Sequence, residues 1–122
     1  MTLDRNELIT MFVLDMVADG YEDIDQIVKD VTNLGERCGM EVHVSEIIHA
    51  LNDLVARQLV KAYRFPLDGS PTEEGFEMPP CGKIGEYHFK ITSEGMKLEM
   101  ADYPPWPFDE DNNLKEEWVP PR

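Results

Sequence analysis

Apolar and polar positions follow two rhythms along this chain, one near 3.6 residues in its first half and one of two residues further on. Between Leu3 and Ala18 there is neither Gly nor Pro. Leu8, Ile9, Met11, Phe12, Val13, Leu14, Met16 and Val17 wrap most of a helical circumference there, which predicts a helix buried on nearly all sides and ended by Gly20. Thr2 is the expected cap, with Asp4 and Glu7 where negative charge suits the helix dipole. A second helix is expected from about Asp23, because Ile24, Ile27, Val28, Val31 and Leu34 share one stripe, with Gly35 and Gly39 at its exit. The third pattern is the cleanest: Val44, Ile47, Ile48, Leu51, Leu54 and Val55 form a stripe, and Ser45, Glu46, His49, Asn52 and Asp53 fall on or near the opposite face.

The rhythm then changes. Leu59 to Phe65 is extended in character, and Tyr87, Phe89 and Ile91 alternate with Glu86, His88 and Lys90, the period of a half-buried strand. The two are expected to pair as a hairpin. Between them, 66–85 holds four Pro and four Gly, so it is expected to be an irregular excursion at the hairpin tip. Thr92, Ser93 and Glu94 offer hydroxyl caps and a first-turn acid for a short helix through Met96, Leu98 and Met100 to about Asp102. These readings divide the chain into a body over 3–102 and an extended, proline- and aromatic-rich arm over 103–122. No internal repeat is present.

Three helices, a hairpin with a long tip and a short helix give an α+β class, in the order of a winged helix-turn-helix domain. Local residues carry the same resemblance. The segment Val44-Ser45-Glu46-Ile47-Ile48-His49-Ala50-Leu51-Asn52-Asp53-Leu54-Val55-Ala56-Arg57-Gln58-Leu59-Val60 resembles that family's third helix running into its first wing strand, with the hallmark Ala-Leu, Leu, Leu-Val. Tyr87-His88-Phe89-Lys90-Ile91-Thr92-Ser93-Glu94-Gly95-Met96-Lys97-Leu98 is similar to the second wing strand and following helix of PadR-like and MarR-like bacterial regulators: aromatic, apolar, Thr, two residues, Gly. The resemblance covers about residues 3–100 and implies a three-helix bundle with a β-hairpin wing. Two departures matter. Gln58 stands where the family usually has Gly before Leu-Val, so the turn is made at a side-chain penalty for positive φ or by another geometry. The wing, where DNA-binding members usually carry Arg or Lys, holds Asp68, Glu73, Glu74, Glu77 and Glu86 against Lys83.

Charge changes what the resemblance implies. The 122 residues carry 25 acids against 11 Lys and Arg, a net of -14, which repels nucleic acid and anionic membranes at a distance. Locally, Arg57, Lys61 and Arg64 oppose Glu46 and Asp53 between residues 44 and 64, a weak net of +1. From Glu22 to Glu41, six acids oppose Lys29 and Arg37. The expected function is therefore a non-catalytic binding module whose partner is another protein or a second copy of the chain, as a homodimer. The alternative is a transcriptional regulator that binds DNA through helix 44–58 and the wing. In that case Ser45, His49 and Asn52 would reach base edges, and Arg57, Lys61, Arg64 and Lys83 would grip phosphates. The plain reading of the same residues is a solvated helix face and scattered surface charge.

The arm supplies the interaction residues: Tyr103, Trp106, Phe108 and Trp118 lie outside the core pattern, and so much apolar surface needs a cover. Three covers are open, namely the chain's own body, exchange between two copies, or a different protein. For other chemistry the sequence is unpromising. Cys38, Cys81, His43, His49 and His88 lack zinc-site spacing, and Asp109, Asp111 and Asn113 begin a calcium loop that fails at Leu114 and Pro120. No phosphate loop or nucleophile elbow is present, so neither enzyme activity, cofactor nor metal is expected. Two cysteines, no basic leader and no apolar run near the roughly 20 residues of a membrane span point to a cytoplasmic protein with no membrane contact.

Overall fold

The structure is a computed structural model that describes residues 4–64, 73–79, 81–101, 106–116 and 118. Helix α1 spans Arg5–Met16, and its N-cap is Asp4, whose carboxylate accepts from the Asn6 amide at 2.8 Å. The expected cap, Thr2, lies outside the described residues. Leu8, Phe12, Val13 and Leu14 are each fully buried, because α1 is packed between α2 (Ile24–Arg37), α3 (Val44–Ala56) and α4 (Ser93–Met100). A helix packed on three sides keeps little polar surface, chiefly Asn6 and Glu7 in its first turn, which is what its dense apolar pattern encodes.

A feature absent from the sequence reading precedes α2: Glu22–Asp23 form a short strand, β1, and Asp23 then caps α2 by accepting from the Gln26 amide at 2.8 Å. Helix α2 ends in a paired turn. Met40 N–H reaches Gly35 O at 2.8 Å and Gly39 N–H reaches Glu36 O at 3.2 Å, with Gly39 in the left-handed region at φ 81°. The segment after it turns inward, so Cys38, Met40 and Val42 join the core although no periodicity marks them. Val44, by contrast, was expected on the buried stripe and is 55% exposed. It is the first residue of α3, at the end of the bundle, and Val42 fills the neighbouring space against Gly35.

The hairpin is formed. Strand β2 (Val60–Arg64) runs antiparallel to β4 (Tyr87–Ile91), with Val60 opposite Ile91 and Arg64 opposite Tyr87. Val60, Ala62, Phe89 and Ile91 face the helices and are buried. Strand β1 adds to the far side of β4, with Glu22 opposite Phe89. The excursion contains regular structure, contrary to expectation: Glu73–Gly75 form β3 on the other edge of β2, and Cys81–Glu86 make a 3-10 helix leading into β4. The sheet order is β1-β4-β2-β3. The edge of β2 has backbone donors and acceptors that need partners, and the returning chain supplies them before it crosses to β4.

The two local patterns that carried the resemblance meet at one corner. Gln58 does sit at positive φ, 62°, and α3 ends with Leu59 N–H on Leu54 O and Gln58 N–H on Val55 O, both at 3.0 Å. Thr92 then binds that corner twice, its amide donating to Leu59 O at 3.0 Å and its hydroxyl to Gln58 O at 2.8 Å. The same hydroxyl oxygen accepts from the Gly95 amide at 3.1 Å and caps α4. Gly95 is required by space: a Cβ there would stand 2.2 Å from Leu59 O and 2.7 Å from Ile91 Cγ1.

Candidate functional site

On α3, Ser45, His49 and Asn52 follow one another at steps of four and three and are exposed, as expected of a presented helix face. The cations do not join them in a common patch. Arg57, just past the end of α3, pairs with Asp53 at 3.4 Å and lines a groove between α1, α3 and α4 with Asn6, Glu7, Thr10 and Leu98. Arg64, at the end of β2, lies 3.7 Å from Glu86. Lys61 belongs to the outer face of the sheet, where its ammonium stands 5.9 Å from the Tyr63 ring centroid and 5.4 Å from that of Phe76. Lys90, directly opposite Lys61 in the register, lies over Tyr21 at 4.7 Å. Lys83 is exposed in the 3-10 helix.

A further cation, missed by the sequence reading, is spent inside the fold. Arg5 forks onto Glu46, Nε to Oε2 at 2.8 Å and Nη2 to Oε1 at 2.9 Å, and also donates to the Glu41 carbonyl. Glu46 Oε1 accepts from the His43 amide at 3.0 Å as well, so one carboxylate ties the start of α1 to the start of α3. The Arg5 bond is the main reason that the Glu46 carboxyl is held down to about 2, well below its usual 4.5. Spacing could not reveal this pair, since its members are 41 residues apart.

No protein-family model, curated protein or solved structure matches the chain.

Three of the four aromatic residues of the arm lie against the chain's own body, the first of the three covers left open by the sequence. Phe108 is buried, Trp106 meets Phe12 edge to face at 5.5 Å, and the Trp118 indole donates to Cys38 O at 3.0 Å. Arg37 fastens the segment by placing its guanidinium 4.3 Å from the Phe108 ring centroid and donating to Asn112 O at 2.8 Å. Tyr103 lies outside the described residues. Asp109 and Asn113 serve the turn itself: Asp109 Oδ1 accepts from the Asp111 and Asn113 amides, at 2.9 and 3.0 Å, with Asn112 at φ 64°. Among the described residues, no cluster of three His, Cys, Asp or Glu could hold a metal ion.

Between α1, α4 and the arm lies a cleft of about 360 Å³ lined by Met11, Asp15, Glu99, Trp106, Phe108, Asp109, Glu110 and Lys115. Its wall is aromatic and its charge strongly negative. Burial first, and then the charge of Asp19, push the Asp15 carboxyl above its ordinary range; burial and the charge of Asp15 do the same to Glu99. Cys38 is 1% exposed and its thiol is pushed up by burial, so it is a packing group. Among the described residues, no helix is long and apolar enough to cross a membrane.

Proposed function

We propose that the chain is a winged-helix module that acts by binding another protein, without catalysis. The order α1, α2, α3, paired β2 and β4, then α4, together with the Gln58–Thr92–Gly95 corner, supports the winged-helix assignment. One observation carries the choice of partner: the two arginines expected to grip phosphate, Arg57 and Arg64, each bring a carboxylate within 4 Å, Asp53 and Glu86. A phosphate docking on either would meet an anion of the protein, and the counterion release that drives nucleic-acid binding would be largely cancelled. The net of -14 adds repulsion at every approach and favours a partner with a cationic or neutral surface.

The second reading, a DNA-binding regulator, draws on the joint exposure of Ser45, His49 and Asn52 on α3. Fluorescence anisotropy with mixed-sequence duplex DNA at low salt separates the two. The protein-binding reading expects no saturation at micromolar protein; submicromolar binding that weakens steeply with added salt would overturn it.

A further inference from the structure

Two hollows share one face of α1. The first, of about 370 Å³, is lined by Thr10 and Met11 of α1, Leu98 of α4 and the Asp53–Arg57 pair at the end of α3. The second is the cleft of about 360 Å³ under the arm, and Met11 lines it too, with Glu99, the neighbour of Leu98 on α4, and Trp106. Glu7, Met11 and Asp15 succeed one another at steps of four, so a single helical face runs through both hollows. From Asn6 to Asp15, at about 1.5 Å per residue, that face is roughly 14 Å long, between two and three turns of helix.

The trough so formed is apolar along its middle and acidic around it. Met11 is nearly buried, while Leu98 and Trp106 are packed against the core and still partly exposed. Glu7 and Asp53 in the first hollow, and Asp15, Glu99, Asp109 and Glu110 in the second, face two cations, Arg57 and Lys115. Arg57 is already 3.4 Å from Asp53. Trp106 is held by edge contacts with Phe12 and Phe108, at 5.5 and 6.2 Å between centroids, and the Phe108 ring already takes the Arg37 guanidinium at 4.3 Å. The wall of the cleft therefore belongs to an aromatic cluster that binds a cation within the fold. Glu99 Oε2 adds an unmet acceptor, shielded from water and without a hydrogen-bond partner among the described residues. Glu99 is only partly buried and its terminal torsion is soft, so a turn of the carboxyl group presents that oxygen to the cleft.

We infer that this trough is the docking surface for a basic amphipathic segment of a partner protein, whose apolar side chains settle on Met11 and Leu98 and whose Lys or Arg enters the cleft beside Trp106. The inference rests on the protein-binding reading above and adds the partner's chemistry and its place on the chain. Charge selects the occupant. A second copy brings its own net of -14 and the same acidic trough, and a nucleic acid brings phosphates to six carboxylates, whereas a basic segment is attracted at a distance and paired on arrival. The apolar middle then fixes where that segment lies, since charge alone has no register.

The test uses the full chain and a fluorescein-labelled peptide of Leu and Arg, with Leu at every third and fourth position, followed by anisotropy at about 0.15 M salt. The comparators are the same peptide scrambled and the same peptide with Glu for Arg. The patterned peptide is expected to bind with Kd on the order of 10 μM, the scrambled one at least about tenfold more weakly, and the Glu peptide not at all. Glu7→Lys with Glu110→Lys reverses two exposed charges of the trough and should weaken binding about tenfold, while Glu36→Lys, the same change on exposed α2 surface outside it, should weaken it less than about threefold. Thr10→Phe fills the first hollow without altering charge and should also cost about tenfold; far-UV circular dichroism checks that each variant is folded. Equal weakening by Glu36→Lys together with no effect of Thr10→Phe would reduce the attraction to diffuse charge and overturn the trough. A dimer in sedimentation that Thr10→Phe dissociates would make a second copy the occupant and overturn the basic partner. Failure of the peptide with no binding of duplex DNA sinks this inference alone, whereas failure with submicromolar DNA binding sinks the protein-binding reading as well.

Discussion

Gly95→Ala adds one methyl group at the corner where α4 meets the β2–β4 pair. The new Cβ would stand 2.2 Å from the carbonyl oxygen of Leu59 and 3.1 Å from its carbonyl carbon, where ordinary contact begins near 3.4 Å, so the parts must separate by roughly 1 Å. The obstacle is backbone, which no rotamer change can remove. That same carbonyl accepts the Thr92 amide, so any shift also lengthens the bond that starts α4. Overpacking of this kind costs about 1–3 kcal/mol, and an immovable neighbour places the cost at the upper end. Alanine's better helix propensity returns about 1 kcal/mol, leaving a net loss of about 2 kcal/mol. At roughly 4 °C per kcal/mol for a chain of this size, Tm falls by about 8 °C. Thermal and urea unfolding followed by far-UV circular dichroism would measure it, with Gly20→Ala as control, since nothing lies within 4 Å of a Cβ at that position. A Gly95→Ala chain as stable as the wild type, beside a neutral control, would mean that α4 does not rest on the Leu59 carbonyl and that the corner is misdescribed.

Gln58→Gly should raise stability by about 0.5–1 kcal/mol in urea unfolding, because relief of the left-handed backbone at φ 62° outweighs the added freedom of the unfolded chain; destabilisation would contradict the turn geometry. Glu46 sets the acid limb of the stability profile. Its carboxyl is lowered to about 2, so its contribution is complete above about 4.5 and disappears as pH falls toward 2. The full linkage would be roughly 3 kcal/mol, which screening of a side chain 22% exposed reduces to about 1–2 kcal/mol. Glu46→Gln should lower stability by that amount at pH 6 and flatten the acid limb, and an unaltered profile would count against the Arg5 fork. A chain ended at Asp102 loses the covers supplied by Trp106 and Phe108. At about 1.5–3 kcal/mol for each large apolar side chain, it should lose at least 3 kcal/mol in calorimetry, whereas unchanged stability would show the arm to be an accessory.

Much of this molecule is legible in its residue order because the relevant physics is local. The 3.6-residue stripes of α1, α2 and α3, the alternation of β4, and the hydroxyl cap at Thr92 each depend on neighbours within a turn or two of chain, and the structure has them near their expected bounds. Gln58 is the clearest case: standing where glycine was expected, it left open a left-handed turn at a side-chain penalty or another geometry, and φ is positive there. Tertiary structure alone decided the rest. Strand β1 is too short to carry a period and exists because β4 offers it an edge. Strand β3 forms in a segment dense with Pro and Gly because β2 has backbone groups to satisfy. Which carboxylate meets which cation is equally invisible to spacing, as Arg5 with Glu46 and Arg64 with Glu86 show. Periodicity reports which face of an element is apolar; only the packed chain settles which charges and edges come to stand beside one another, since that depends on distances summed over the whole fold.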